Sequence, residues 1–406
     1  MRTDIAILGF GVVGAGTAKV LEMNKEEIAR RTGTEIYVKH ILDLRDFPDS
    51  PFADRVTHNA DDVFGDKDIK IAVETIGGAK IAYEYTKKAL SAGITVVTSN
   101  KELVSTHGVE LLKIAKENGC QYMFEAAVGG GIPIIRPLYR CLAANKVVRI
   151  AGIVNGTTNY ILTQMKDNGI SLDEAVSQAQ QNGYAERNPE ADIEGRDACR
   201  KIAILSSIAY GRDVRYQKVY TEGISKITAE DMKYANAMGC SIKLLGQSRI
   251  VNGGIYAMVC PTLINVDNPL YSVQGVFNAI FVHGNVLGDA MFYGSGAGSL
   301  PTASAVVADV VDCAKHRGDN VMNQWSDEEI SLIDVDEVRG RFFVRVAGSL
   351  AGELNNVKEV FGDVEPVSIP GTAGEFGFIT KEMSEREYKE KAAKLPDIIT
   401  MIRARV

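Results

Sequence analysis

Ile5-Ala-Ile-Leu8-Gly9-Phe-Gly11-Val-Val-Gly14, followed by a helical pattern through Val13, Thr17, Val20 and Leu21, decides how this chain folds. The apolar run suits a buried parallel strand, and the glycines follow it at once. The first glycine allows a tight turn, and the second lets a pyrophosphate approach the backbone. The third lets the helix pack on the strand, with the helix N-terminus facing the anion. In this strand–turn–helix setting the pattern predicts an α/β fold with a Rossmann-type, doubly wound parallel sheet that binds a dinucleotide. Gly9, Phe10, Gly11, Val12, Val13 and Gly14 would cradle it.

A second strand, Ile36 to Leu42, ends at Asp43-Leu-Arg45. An acid there accepts ribose hydroxyls, whereas an arginine can take a 2′-phosphate, so NAD and NADP both stay open. The strand Ile69 to Thr75 runs into Ile76-Gly-Gly78, and Ile94 to Val97 runs into Thr98-Ser-Asn-Lys101. Polar residues after parallel strands point into the binding crevice, which makes Thr75 a candidate cofactor contact. A lysine is unfavourable at the positive end of a helix dipole, so Lys101 suggests a functional demand beyond a surface charge. Tyr122 to Glu125 is another short strand, entering Ala126-Ala-Val-Gly-Gly-Gly131-Ile-Pro133. Three glycines in a row leave backbone carbonyls for water or for a monovalent cation; a plain hinge is the alternative.

The composition narrows the function classes. The 406 residues are 46% hydrophobic and 24% charged, with a net charge of -7, as expected of a soluble protein of two or three domains. Neither nucleic acid nor an anionic membrane is expected as a partner, because no basic patch turns up. No apolar run approaches a membrane span, and no signal-peptide layout opens the chain. The six cysteines are scattered without a Cys-x-x-Cys pair, which fits free thiols in a reducing cytoplasm, and the five histidines lack zinc-ligand spacing.

Gly183-Tyr-Ala-Glu186-Arg-Asn-Pro-Glu-Ala-Asp192-Ile-Glu-Gly195-Arg-Asp197-Ala-Cys-Arg-Lys201 places acids in turn-prone sequence ahead of a helix. Asp197 and Lys201 share one helical face, with the acid on the favourable N-terminal side. Alone, this reads equally well as a solvated acidic loop or as a pocket. Before it stands Asn155-Gly-Thr-Thr-Asn-Tyr160, which brings hydroxyls and amides to a turn. The helix running to Tyr210 is predicted to bury Ala198, Ile202, Leu205 and Ala209.

Taken in order, these motifs resemble those of the homoserine dehydrogenases: Gly9 to Gly14, Ser99-Asn-Lys101, Glu125 with Gly129 to Pro133, Asn155 to Tyr160, Gly183 to Glu186 and Asp192 through Lys201. Tyr293-Gly-Ser-Gly-Ala-Gly298 and Pro301-Thr-Ala-Ser304 complete the pattern over residues 1–320. The resemblance implies NAD(P)H-dependent reduction of L-aspartate 4-semialdehyde to L-homoserine, in threonine, methionine and isoleucine biosynthesis. It implies Lys201 as the general acid, Lys101 as a second amine, and Glu186 and Asp192 as partners of the substrate ammonium. Asp197 would bind substrate or orient Lys201, with Tyr184, Gly156 and Thr157 also at the substrate. Gly298 would return to the cofactor. The backbone carbonyls of Glu125, Val128, Gly130 and Ile132 would hold a monovalent cation, sodium or potassium. A homodimer or a dimer of dimers would be the assembly. One departure stands out: the family commonly has Asp-Pro soon after the glutamate, whereas this chain has Arg187-Asn188-Pro189.

The expected domains are a Rossmann domain over 1–130 closed by 294–320, a substrate-binding and dimerisation domain over 131–293, a connector over 321–340, and a tail over 341–406. Strands are expected near Gly254 to Thr262, Asn278 to His283 and Gly288 to Tyr293. In the tail, Phe342 to Val346, Leu354 to Phe361, Phe376 to Ile379, Glu385 to Leu395 and Ile398 to Val406 alternate strand and helix. That order resembles a shortened α+β ACT regulatory module, with Ala347-Gly-Ser-Leu-Ala-Gly352 in place of the usual ligand loop. Two rivals remain. A phosphorylating semialdehyde dehydrogenase needs a nucleophilic cysteine in a polar turn, and none is placed so. A nucleotide-sensing regulatory protein leaves the Glu186–Lys201 cluster unexplained.

Overall fold

The computed structural model describes residues 2–316, 319, 321, 324–370 and 372–406. Arg317, Gly318, Asn320, Met322 and Asn323, which fall in the expected closing segment and connector, lie outside the described residues. The chain forms two compact units. The first comprises 1–147, 203–216 and 292–330, the second 148–202, 217–291 and 331–406.

In the first unit, β1 (Arg2–Leu8), β2 (Glu35–Leu42), β3 (Val56–Thr57), β4 (Ile69–Glu74), β5 (Thr95–Thr98) and β6 (Tyr122–Met123) form one sheet. All its pairings are parallel, in the order β3-β2-β1-β4-β5-β6. Ile5, Ile7, Leu8, Ala72, Val73, Val96 and Val97 are wholly buried, which is why these strands read as continuous apolar runs. The chain reverses its direction of progress between β1 and β4, opening a crevice at the carboxyl ends of the strands. Helix α1 (Val12–Met23) follows β1 through the glycine turn, and α2 (Lys101–Glu117) follows β5. The helix Ser299–Lys315 lies against α1: the Ser299 hydroxyl donates to Val12 O at 2.9 Å. The stretch expected as a connector is more structured than that. Trp325 is buried edge-on to Phe124, at 5.7 Å between ring centroids, and Ser326–Glu329 pairs in parallel with Arg212–Asp213.

The second unit is built on β7 (Val147–Ile153), β8 (Ser241–Val251), β9 (Gly254–Ile264), β10 (Phe277–Gly284) and the first half, Gly288 to Met291, of β11 (Gly288–Ser295), ordered β11-β10-β7-β8-β9. The strand β8 was not anticipated, because Lys243, Gln247 and Arg249 break its apolar run. It pairs with β9 without a slip across the two-residue turn Asn252-Gly253, whose φ values of 50° and 83° suit the hairpin twist. Helix α3 (Gly156–Asn168) belongs to this unit, and α4 (Arg196–Tyr210) starts in it and from Ala203 on is part of the first unit. Ala198, Ile202 and Leu205 are buried as predicted, while Ala209 is half-buried.

The tail contains β12 (Arg339–Ala347), α5 (Leu350–Phe361), β13 (Val364–Val367), β14 (Glu375–Thr380), α6 (Glu385–Ala392) and β15 (Ile398–Arg405). Its strands run antiparallel in the order β15-β12-β14-β13, a split βαβ pattern, and β15 joins β9 in parallel. The short strand β13 went unpredicted; Pro366 marks it as an edge. Phe342, Val344, Phe376, Phe378 and Tyr388 form the tail's core.

Candidate active site

The candidate nucleotide site of the first unit follows from the glycine turn. Gly9 has φ 91°, a left-handed conformation that favours glycine. A Cβ on Gly14 would stand 2.1 Å from Gly9 O, so only glycine lets α1 approach β1, whereas Gly11 faces open space. The Thr75 hydroxyl donates to Gly9 O at 2.7 Å and locks the turn to the end of β4. Beside it lies a cavity of about 480 Å³, lined among others by Gly9, Gly11, Asp43, Arg45, Thr75 and His58. An open second glycine and a close-packed third one suit a dinucleotide's pyrophosphate. Val12 is 70% exposed at the first turn of α1, with Val13 next to it, and Phe10 is buried against Phe47. Lys101, the first residue of α2, and Gly298, the cap of Ser299–Lys315 with φ 118°, are not in the lining of that cavity.

Asp43 is already engaged. One oxygen accepts from Phe10 N at 2.7 Å, and Arg45 binds both oxygens at 3.0 Å. The guanidinium beside it holds this carboxyl at about 2. His58, missed in the sequence, reaches Asp43 O at 2.7 Å and the Asp46 carboxylate at 3.0 Å, and these contacts raise its pKa. Its chain separation from Asp43 left no local signal.

In the second unit, Asn155 organises the acids. Its amide donates to Asp192 Oδ1 at 2.7 Å and to Asp197 Oδ2 at 2.9 Å. Its oxygen accepts from Thr158 N at 2.8 Å and so caps α3. Lys201 Nζ lies 2.8 Å from Asp197 Oδ2 and donates to Val154 O at 2.7 Å. Asp197 and Lys201 are 3% and 8% exposed, which decides against the solvated-loop reading for this pair. Thr157 donates to Tyr184 O at 2.7 Å, and Tyr184 packs on Tyr160 at 5.0 Å. Gly156 begins α3, where a Cβ would stand 2.6 Å from Val276 O. Glu186 is exposed on the loop, whose carbonyls at Glu186 and Arg187 accept from the Gln180 amide.

The glycine-rich segment of the first unit contains one helical turn, Ala126–Gly129, and bends at Gly130, φ 58°. A side chain on Gly130 would collide with Gly296 O. The Glu125 carboxylate, buried, accepts the N–H groups of Ile134, Ile135 and Arg136 at 2.6 to 2.8 Å, and Glu125 N donates to Asp309. Val128 and Ile132 are buried in the same turn. Among the described residues no cluster of three His, Cys, Asp or Glu could hold a metal, and no helix is long and apolar enough to cross a membrane. Five of the six cysteines are buried and Cys141 is exposed.

Two family models match the chain: "Homoserine dehydrogenase, NAD binding domain" over residues 9–125 and "Homoserine dehydrogenase" over residues 133–311. The homoserine dehydrogenase of Neisseria gonorrhoeae is 38% identical over 426 residues, covering 98% of each chain. The crystal structure of a homoserine dehydrogenase from Thiobacillus denitrificans superposes with a TM-score of 0.92 at 37% identity, covering 100% of this chain and 98% of that one. A hyperthermophilic archaeal homoserine dehydrogenase in complex with NADPH gives a TM-score of 0.65 at 31% identity, covering 77% of this chain and 97% of its own. These relatives are enzymes, and none supports the sensor alternative. With a dinucleotide turn, a buried lysine–aspartate pair and relatives matched end to end, the chain belongs to the homoserine dehydrogenase family.

Proposed function

We propose that the chain catalyses the reversible NAD(P)H-dependent reduction of L-aspartate 4-semialdehyde to L-homoserine, with Lys201 as general acid and base. The observation that carries the role of Lys201 is its buried ammonium, held between Asp197 and the Val154 carbonyl. When bound, the nicotinamide supplies the hydride. As the aldehyde oxygen gains electrons, Lys201 gives it a proton; in homoserine oxidation the neutral amine takes the proton back. Asp197 fixes the direction of that amine. Asp192, steadied by Asn155, attracts the substrate ammonium, with Glu186, Tyr184, Gly156 and Thr157 completing the substrate contacts. Lys101 serves as a second amine.

Gly9 to Gly14, Asp43, Arg45, Thr75, Lys101 and Gly298 are assigned to the cofactor; the open face at Gly11 and the cradle at Gly14 support this. The bend at Gly130 and the burial of Glu125 support a monovalent cation on the carbonyls of Glu125, Val128, Gly130 and Ile132. The split βαβ order supports an ACT-like tail, and a relative that covers 77% of this chain with 97% of its own supports reading the tail as an addition to the catalytic part. The exposed apolar side chains of Phe277, Val286, Leu287 and Met291 support a homodimer. Family membership supports a cytoplasmic location and a place in threonine, methionine and isoleucine biosynthesis, and the gap between the two matched stretches, 9–125 and 133–311, supports a first domain limit near residue 130. NADP⁺ reduction with L-homoserine by the wild type and by Lys201→Ala tests the mechanism. Activity in the first and a loss of at least ~100-fold in the second are expected; an inactive wild type overturns the reading. An ACT-like tail would serve threonine feedback, so threonine titrated into the same assay tests it, no inhibition at millimolar levels assigning the tail a structural role, and light scattering tests the dimer.

A further inference from the structure

Glu74, the last residue of β4, is wholly buried at the carboxyl edge of the parallel sheet. One of its oxygens accepts from Ile76 N at 2.6 Å, the other from the Thr98 hydroxyl at 2.5 Å. Thr98 Oγ1 in turn accepts from Asn100 N at 2.9 Å. The Asn100 amide donates to Ile76 O at 3.1 Å and Gly78 O at 2.7 Å, while its oxygen caps α2 by accepting from Glu102 N and Leu103 N. These bonds close a ring: Glu74 to Ile76, Ile76 to Asn100, Asn100 to Thr98, and Thr98 to Glu74.

The ring joins two loops that matter for the cofactor. Ile76 and Gly77 line the dinucleotide cavity on the β4 side of the switch point. The adenosine acid sits at the end of β2, so the β4 side is where the nicotinamide half lies. The other loop delivers Lys101 as the first residue of α2. Among the described residues Glu74 has no cationic partner, and burial pushes its carboxyl up to about 7 against the pull of Thr98, Ile76 and Asn100. Burying such a group is costly, and apolar packing would hold two loops together more cheaply.

We propose that Glu74 is a positioning residue for hydride transfer, whose hydrogen-bond ring holds the Ile76–Gly78 turn against the nicotinamide and aims the start of α2 with Lys101. This rests on the dehydrogenase reading above. A misplacement of about 1 Å at a reacting centre can cost on the order of 100-fold in rate, so a loosened turn registers in the chemical step.

The test uses the full chain with Glu74→Leu, which opens the ring, and Glu74→Gln, which keeps an acceptor for Ile76 N and a donor for Thr98. NADPH binding is read by fluorescence, and the rate with L-homoserine deuterated at the carbinol carbon. Glu74→Leu is expected to bind NADPH roughly tenfold more weakly, lose on the order of 10- to 100-fold in kcat, and show a larger isotope effect. Its KM for L-homoserine should stay within about threefold, because the Asn155–Asp197 group lies on other elements. Glu74→Gln should return close to wild type. A folded Glu74→Leu with wild-type NADPH affinity and isotope effect overturns the proposal. Where Glu74→Leu fails to fold, Thr98→Val, which deletes one hydroxyl of the ring, carries the same expectation, and wild-type values for it overturn the proposal equally. An inactive wild type with intact NADPH binding counts against the reaction instead, and the binding comparison still judges Glu74.

Discussion

Lys201 Nζ stands 2.8 Å from Asp197 Oδ2, one helical turn away, and both side chains are nearly excluded from solvent. A surface pair at this spacing contributes little, but a buried one fixes where the amine points. Asp197→Asn keeps the size and an acceptor for the Asn155 amide but removes the charge. Its kcat is expected to fall on the order of 10- to 100-fold with a smaller change in KM. Lys201→Arg should not rescue, since a guanidinium does not release its proton near neutral pH. Steady-state rates with L-homoserine decide, and a Lys201→Arg enzyme at wild-type speed would exclude proton transfer by this side chain.

Asp43 is occupied by Phe10 N and by both arms of Arg45, which masks the charge that would repel a 2′-phosphate. The Arg45 side chain is 63% exposed and can turn from Asp43 to a phosphate. Arg45→Ala is therefore expected to lower kcat/KM for NADPH by about tenfold, corresponding to a lost charge-assisted contact, and to leave NADH unchanged or improved. Measuring both cofactors side by side checks it; an equal loss with each would assign Arg45 to the fold.

What could be read in the sequence was what is local. The glycines at 9, 11 and 14 lie within one turn, so their separate tasks follow from spacing, and the structure gives each the expected surroundings. Asn155 reads in the sequence as part of a turn, but its partners Asp192 and Asp197 lie 37 and 42 residues further on, and no local pattern carries the bridge. The acids from Glu186 to Asp197 looked like one cluster. Only Asp192 and Asp197 are tied together by Asn155, while Glu186 is exposed on a loop held by its backbone. Glu74 read as an ordinary strand end, because its ring depends on β5 lying beside β4.

Arg403 of β15 binds Glu385 at 2.7 Å and Glu222 at 2.6 Å. Next to Glu222, Gly223 packs so tightly that a Cβ would stand 2.1 Å from Ile193 O, and Ile224 N donates to that oxygen at 2.8 Å. Ile193 follows Asp192, so the last strand braces the loop that carries Asp192. Arg403→Leu strands a buried carboxylate and is expected to cost about 3–5 kcal/mol in urea unfolding. Gly223→Ala should raise KM for L-homoserine several-fold while leaving NADPH binding intact. An unchanged KM in Gly223→Ala would break this link.

Lys243 of β8 is 2% exposed and donates to Asn159 Oδ1 at 3.1 Å and Val273 O at 2.5 Å. Among the described residues it has no carboxylate partner. Burial, helped by Lys166, pushes its ammonium down to about 8. The folded pKa thus lies below the unfolded value of about 10.4, so between the two the unfolded chain binds a proton that the folded chain lacks. Stability from this group rises with pH across that window, and the penalty is complete below its lower edge. Lys243→Met has no such dependence. Its stability relative to wild type is expected to fall by roughly 3 kcal/mol as pH rises through the window. Urea unfolding of both proteins near neutral pH and near pH ~10 measures that difference, and a value independent of pH would mean that the buried amine keeps its proton.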